Sequence, residues 1–262
     1  MDLGLSDKKA VVLASTRGLG RAIAETLAAE GAEVLLAGRS AEKLQTVEAA
    51  IRAKGGRCHW TLCDLAEKTA AEALQTAAAE VLGQVDILVL NAGGPPPGRM
   101  IDSDLEIMRT HFETSVVRLM EIGHGFIPAM AERGWGRVVA VGSSGVVQPI
   151  PTLGLSNTIR ASLAAWCKSV SNDVAAQGVT VNMLLPGRIH TERVDELDTA
   201  AAQRTGKDIE AIRAAARGTI PAGRYGTPAE FAAVAAFLCS APASYVTGSL
   251  VRCDGGQIKS LG

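Results

Sequence analysis

The chain has 262 residues, of which 47% are apolar and only 3% aromatic, and its formal net charge is −1. That length suits one large α/β domain or two small ones, with a core built from Ala, Val, Leu and Ile. The charge balance gives no electrostatic case for nucleic acid or an anionic membrane as partner. No run reaches the ~20 apolar residues of a membrane-crossing helix.

In chain order, strand-like and helix-like segments alternate. KAVVLAS (9–15) is a short apolar run, and GRAIAETLAAEG (20–31) is an amphipathic helix stopped by Gly31. EVLLAGR (33–39) is a second strand, followed by a helix from Ser40 to Lys54. Further strands are expected at 57–65, 85–93, 136–144, 179–187 and 249–256. LSNTIRASLAAWCKS (155–169) is a helix, with Ile159, Leu163, Trp166 and Val170 along one face. Such alternation builds a doubly wound parallel sheet with helices on both faces. No linker or repeat divides it, so residues 1–262 are read as a single α/β domain.

Two segments depart from the rhythm. GGPPPG (93–98) makes a stiff, extended loop after the fourth strand. Residues 188–220 hold charged helical pieces, broken at Thr205-Gly206. Loops after strand C-termini face the ligand crevice of a doubly wound sheet. Both segments are therefore candidate walls of a substrate site, with 188–220 as a lid; the alternative for 188–220 is a solvated surface helix.

The five cysteines, Cys58, Cys63, Cys167, Cys239 and Cys253, contain no C-x-x-C. Four lie in apolar runs, which points to buried free thiols in a reducing cytosol. The N-terminal stretch carries only a short apolar run and is not a signal peptide. A cytoplasmic protein is expected.

Between the first strand and first helix lies LASTRGLGRAIA (13–24). Gly18 and Gly20 let backbone turn closely into a helix whose N–H groups can meet a pyrophosphate. At the end of the second strand stands Arg39, with no acidic residue from Leu35 to Ser40. An acid there takes a ribose 2′-hydroxyl and selects NAD, whereas an arginine accepts a 2′-phosphate and selects NADP. Arg17 can reach the same phosphate. The reading is NADP(H), against two ordinary surface arginines. Asp64 either accepts from an adenine amino group or caps the next helix, since D-L-A-E has capping-box spacing.

These residues resemble the short-chain dehydrogenase/reductase family over nearly the whole chain. Asp64-Leu65, NAG at 91–93, PGRIHT at 186–191 and the closing YVTGSLVRCDGG all match in order and spacing. Within the family the chain looks like 3-oxoacyl-(acyl carrier protein) reductases. The resemblance implies a seven-stranded Rossmann fold, a homotetramer or homodimer and a small-molecule carbonyl or alcohol substrate. It implies a cofactor site formed by Ser15, Thr16, Arg17, Gly18, Leu19 and Gly20, by Arg39, Asp64 and Leu65, and by Asn91, Ala92 and Gly93. Asn91 would lie beside the adenosine ribose. From the sixth strand's loop come Pro186, Gly187, Ile189 and Thr191, the last two addressing nicotinamide carboxamide and phosphates.

The family's chemistry uses a Ser, a Tyr and a Lys four residues after the Tyr, with an Asn that anchors a relay water. Ser143 falls at the Ser position, but Ser156 stands at the Tyr position, Arg160 at the Lys position and Phe112 at the Asn position. Tyr225 and Tyr245, the only tyrosines, lie far along the sequence from that helix. The first glycine of the family's Gly-rich turn is replaced too, with Leu13-Ala14 where Thr-Gly is expected. An alanine there is strained if the turn needs positive φ.

A serine hydroxyl is a far weaker acid than a phenol of pKa about 10, and an arginine holds its proton. Arg160 can still hydrogen-bond a ribose hydroxyl and stabilise a developing alkoxide. The expected set is Ser143 orienting substrate, Arg160 on ribose and oxyanion, and Ser156 relaying a proton through water. His111 and His190 are the substitute acids to weigh, His190 from its place in the nicotinamide-facing loop. The alternatives are a catalytically silent NADP(H) sensor or scaffold and a non-redox enzyme on the same fold, such as a lyase.

Overall fold

The computed structural model describes residues 1–261. Seven parallel strands form one sheet in the order β3-β2-β1-β4-β5-β6-β7. They are β1 (Lys9–Leu13), β2 (Glu33–Gly38), β3 (Arg57–Leu62), β4 (Ile87–Leu90), β5 (Gly136–Val141), β6 (Val179–Pro186) and β7 (Leu250–Cys253). Every expected strand is present, but all seven end short of their expected C-termini. Asp64, Asn91 and Ser143 lie beyond the ladder, in the loops at the strands' C-terminal ends.

Alternation within each strand sorts the core into two layers. Val11, Leu13, Leu35 and Ala37 face α3 (Ala70–Leu82), α5 (Arg118–Glu132) and α6 (Gly154–Val174), which contribute Leu74, Leu119 and Leu163. Ala10, Val12, Val34 and Leu36 face the other way. They meet Ile23 and Leu27 of α1 (Gly18–Ala29), Leu44 and Val47 of α2 (Ala41–Ala53), and Phe231 of α9 (Pro228–Leu238). The helix starts follow local chemistry. The Ser40 hydroxyl accepts from the Lys43 N–H and caps α2. Thr227 and Glu230 form a reciprocal capping box ahead of α9, with Pro228 in its first turn.

Asp64 does not cap a helix. The next one, α3, begins only at Ala70, with Thr69 as its N-cap. The Asp64 carboxylate accepts from the Ala66 N–H within a turn, 3.1 Å away, so the D-L-A-E spacing marks that turn.

Between β4 and α5 lie α4 (Leu105–Phe112) and a π-helical turn at Glu113–Val117. The 188–220 segment folds as α7 (Glu192–Thr205) and α8 (Ile209–Gly218), with Gly206 left-handed at the break. Asp198 of α7 is fully buried and ties this segment down. Its carboxylate pairs with Arg188, accepts from the Tyr225 hydroxyl at 3.0 Å and lies 3.8 Å from Arg213 Nε of α8.

Four thiols are buried, Cys253 is partly so, and all five are free. Burial pushes Cys58, Cys167 and Cys239 up to about 12 and Cys63 to about 11, which keeps them protonated and unreactive. No helix among the described residues is long and apolar enough to cross a membrane.

Candidate active site

The chain order reverses between β1 and β4, and at such a switch point a doubly wound sheet opens a crevice at its strands' C-terminal ends. A cleft of about 1080 Å³ lies there, lined by the loops after β1 to β6 and roofed by α7. Thr16, Arg17, Gly18, Leu19, Arg39, Asp64, Leu65, Asn91, Ala92, Gly93, Pro186, Gly187, Ile189 and Thr191 all line it, as do Ser143, Ser156 and Arg160. The strand-end loops thus bring into one cavity residues spread over nearly the whole sequence.

Two expected members stand outside. Ser15 is fully buried behind the cleft, where its hydroxyl donates to the Ala37 carbonyl and accepts the Ala37 N–H, pinning β1 to β2. Gly20 lies on the inner side of α1. A Cβ there would sit 2.4 Å from the Ala14 carbonyl oxygen and 2.8 Å from Asn91 Nδ2. Its lack of a side chain serves close helix–strand packing. Ala14 adopts φ +48°, so the strain expected from losing the glycine is present.

The N-terminus of α1 suits an anion. No side chain caps it, as is also the case for α3, α5, α6 and α7. Gly18 and Leu19 of its first turn line the cleft, and first-turn N–H groups have no partner within the helix. At the far edge Arg39, Ser40 and Lys43 also line the wall, Lys43 being an addition that the motif left out. Arg17 is engaged elsewhere: its Nη1 donates to Glu196 Oε1 of α7 at 3.0 Å. That bond holds the Glu196 carboxyl below its ordinary range. Arg193, one turn earlier on α7, donates from Nη2 to the Pro95 carbonyl at 2.7 Å. Two α7 side chains therefore cross the cleft, one to α1 and one to the proline loop.

The other end of the cleft holds Ser143, Ser156 and Arg160. Ser143 stands two residues past the end of β5, and its hydroxyl accepts the Gly145 N–H at 3.1 Å. Arg160 is buried, and its Nη1 and Nη2 donate to the Val141 and Ala92 carbonyls, both at 2.9 Å. Burial pulls the guanidinium down to about 10, still protonated at neutral pH. Two of its five N–H donors are spent on these carbonyls.

Phe112 does not face the cleft. With Met108 it packs on Val116, Leu155 and Ile159, seating α4 and the π-turn against the start of α6. From this segment Thr110, His111, Thr114 and Ser115 line the cavity, and the Ser115 hydroxyl donates to the Gly93 carbonyl at 3.4 Å. The π-turn adds a residue to the helical repeat and so shifts which side chains turn inward. That shift leaves no mark in the linear spacing of the residues. His190 is also turned away: it is exposed, pairs with Asp195 at 3.5 Å and is not part of the lining. Tyr225 is bound to Asp198, and Tyr245 is fully exposed.

Residues 13–257 match the family model described as enoyl-(acyl carrier protein) reductase. Over 258 residues the chain is 34% identical to dehydrogenase/reductase SDR family member 4 of Oryctolagus cuniculus, covering 98% of this chain and 96% of that protein. It is 32% identical to the 3-oxoacyl-(acyl-carrier-protein) reductase of Escherichia coli over 257 residues, 97% and 99% of the two chains. Among solved structures, L-sorbose reductase from Gluconobacter frateurii, complexed with NADPH and L-sorbose, superposes with a TM-score of 0.94. Sequence identity to it is 30%, with 100% of both chains covered.

Proposed function

The chain belongs to the short-chain dehydrogenase/reductase family, and from that premise we propose that it is an NADP(H)-dependent oxidoreductase acting on a carbonyl or secondary alcohol, with a nonstandard catalytic set. The observation that carries the reading is the single cleft. It joins an uncapped helix N-terminus and an Arg39–Lys43 edge at one end to Ser143, Ser156 and Arg160 at the other. The first end fits the diphosphate and 2′-phosphate of NADP(H); the second fits a small polar substrate. NADPH-bound relatives of the same fold support the choice of cofactor.

When bound, the cofactor supplies or accepts a hydride. The chain's own residues do the rest. The Ser143 hydroxyl, held at the end of β5, orients the carbonyl oxygen. Arg160, fixed by its two backbone carbonyls, directs its remaining N–H groups at the ribose and at the charge developing on that oxygen. Ser156 can pass a proton through water, but it is too weak an acid to be its source. The same reading takes the protein as a homo-oligomer, which light scattering on the purified chain tests.

A second reading is a catalytically silent NADP(H)-binding protein. It is favoured by the commitment of Arg160 to Val141 and Ala92 in a site without a phenol. Assaying NADPH-dependent reduction of ketones and 3-oxoacyl thioesters by the wild type and by Ser143→Ala separates the two. The oxidoreductase reading expects turnover that falls in the variant while NADPH affinity holds. Turnover that is the same in both places the chemistry away from Ser143.

A further inference from the structure

We propose that His111 exchanges the proton with the substrate oxygen, in the place where the family's tyrosine is missing; this rests on the oxidoreductase reading above. The geometry begins with α4. Its Met108 and Phe112 are seated on Leu155 and Ile159 of α6, the helix that carries Ser156 and Arg160. His111, next to Phe112, therefore lines the cleft from a helix docked on the catalytic one. The other candidates fall away on position: His190 lies outside the cavity, Tyr225 is held by Asp198 and Tyr245 is in solvent.

The charged groups around His111 are few. The proline loop (93–97) and the β5–α6 loop (142–153) contain no ionisable side chain. On α4 itself Arg109 pairs with Glu106, and in the π-turn Glu113 pairs with Arg118. From α6 comes Arg160, and from α7 come Glu192, Arg193, Glu196 and Arg204. Glu196 is neutralised by Arg17 and Arg193. Histidine is the side-chain type whose charge ordinarily changes between pH 5 and 8. The His111 pKa lies below the ordinary histidine value, first through burial and then through the Arg193 charge.

In reduction the carbonyl carbon takes the hydride and NADPH is oxidised to NADP⁺. The C=O π pair moves to oxygen, and the oxygen takes the proton as the His111 N–H bond breaks, leaving a neutral imidazole. Solvent then restores that proton. The reverse reaction begins with neutral His111 accepting the alcohol proton. Reduction needs imidazolium and so speeds up as pH falls, levelling off below the His111 pKa. Oxidation finds its base already neutral at pH 7.

The test compares pH profiles of kcat/KM for the carbonyl at saturating NADPH between wild type and His111→Gln, with NADPH affinity followed by fluorescence. The imidazole of the NADPH-bound full chain is titrated by NMR in parallel. The expected results are an inflection below pH 6.5 that coincides with the NMR titration, and its loss in His111→Gln with a fall of ~10²–10⁴ in rate. Arg193→Gln should move both inflections upward together. A His111→Gln profile that matches wild type, or a kinetic inflection that does not coincide with the NMR value, overturns the role of His111 and leaves the oxidoreductase reading standing. A wild type that binds NADPH but turns over neither carbonyl nor alcohol overturns that reading, and this inference with it.

Discussion

The Arg160 guanidinium donates to the Ala92 carbonyl at 2.9 Å, and its second Nη reaches Val141 at the same distance. One side chain of α6 thereby joins the ends of β4 and β5. A lysine offers a point charge without the planar fork, so the arginine has a bracing role besides any ligand contact. This bears on rebuilding the family's catalytic pair. Ser156→Tyr with Arg160→Lys should install a phenolic acid and restore carbonyl reduction in a His111→Gln background. The gain should stay below the ~10²–10⁴ of a well-placed general acid, because Phe112 provides no relay anchor. Steady-state rates with NADPH affinity checked alongside decide it. A variant that binds NADPH normally yet remains as slow as His111→Gln shows that Ser156 and Arg160 are not a displaced Tyr–Lys site.

Cofactor choice is predicted from the β2 end of the cleft. Arg39, with Lys43 one helical turn on, offers two cations to a 2′-phosphate. NADPH should bind more tightly than NADH, with the difference shrinking as salt rises. Arg39→Asp should erase or reverse the preference, since the carboxylate repels the phosphate and accepts a ribose hydroxyl instead. Fluorescence titration of both nucleotides checks this, and equal affinities in the unmutated protein would contradict it.

On the proposed reading, Glu196 competes with that phosphate for Arg17. Both side chains are about half exposed, so the pair contributes no more than ~1 kcal/mol to stability. Glu196→Gln should leave thermal stability nearly unchanged while freeing Arg17 for the cofactor. NADPH affinity should rise by up to ~5-fold, the equivalent of ~1 kcal/mol, with NADH affected less. Weaker NADPH binding in the variant would mean that Glu196 supports the site.

The Gly-rich turn yields an opposed pair of outcomes. Ala14 sits at φ +48°, where a side chain costs about 1–2 kcal/mol, partly offset by the entropy of an unfolded glycine. Ala14→Gly should therefore stabilise the protein by up to ~1 kcal/mol in urea unfolding. Gly20→Ala should do the reverse, because its Cβ would meet the Ala14 carbonyl oxygen at 2.4 Å. Relieving that clash moves α1 off β1, so a loss of about 1–3 kcal/mol and weaker NADPH binding are both expected.

The fold was legible because its signals are local and periodic. Buried parallel strands read as apolar runs, and the helices between them keep one apolar stripe, so all seven strands could be placed from sequence. The cofactor wall was nearly as legible, since loops after parallel strands must meet at one edge of the sheet. What sequence could not resolve was direction. The family resemblance implies Ser15 as a ligand residue, yet its hydroxyl turns back to Ala37. Gly20 looked like part of a phosphate loop but serves helix packing. His190 had the better sequence position and His111 has the better spatial one, because Asp195 draws the first away and the π-turn region presents the second. A cross-cleft pair such as Arg17 with Glu196 has no signal at all across 179 positions.

The most direct test of the central claim is a stoichiometric turnover measurement. NADPH consumption and alcohol formation are followed together on a panel of ketones and 3-oxoacyl thioesters, at pH 6 and pH 8. The account predicts one alcohol formed per NADPH consumed, faster at pH 6, with the rate reduced in Ser143→Ala. Saturable NADPH binding with no NADPH consumed on any substrate, and no NADP⁺ reduced by the corresponding alcohols, would contradict it.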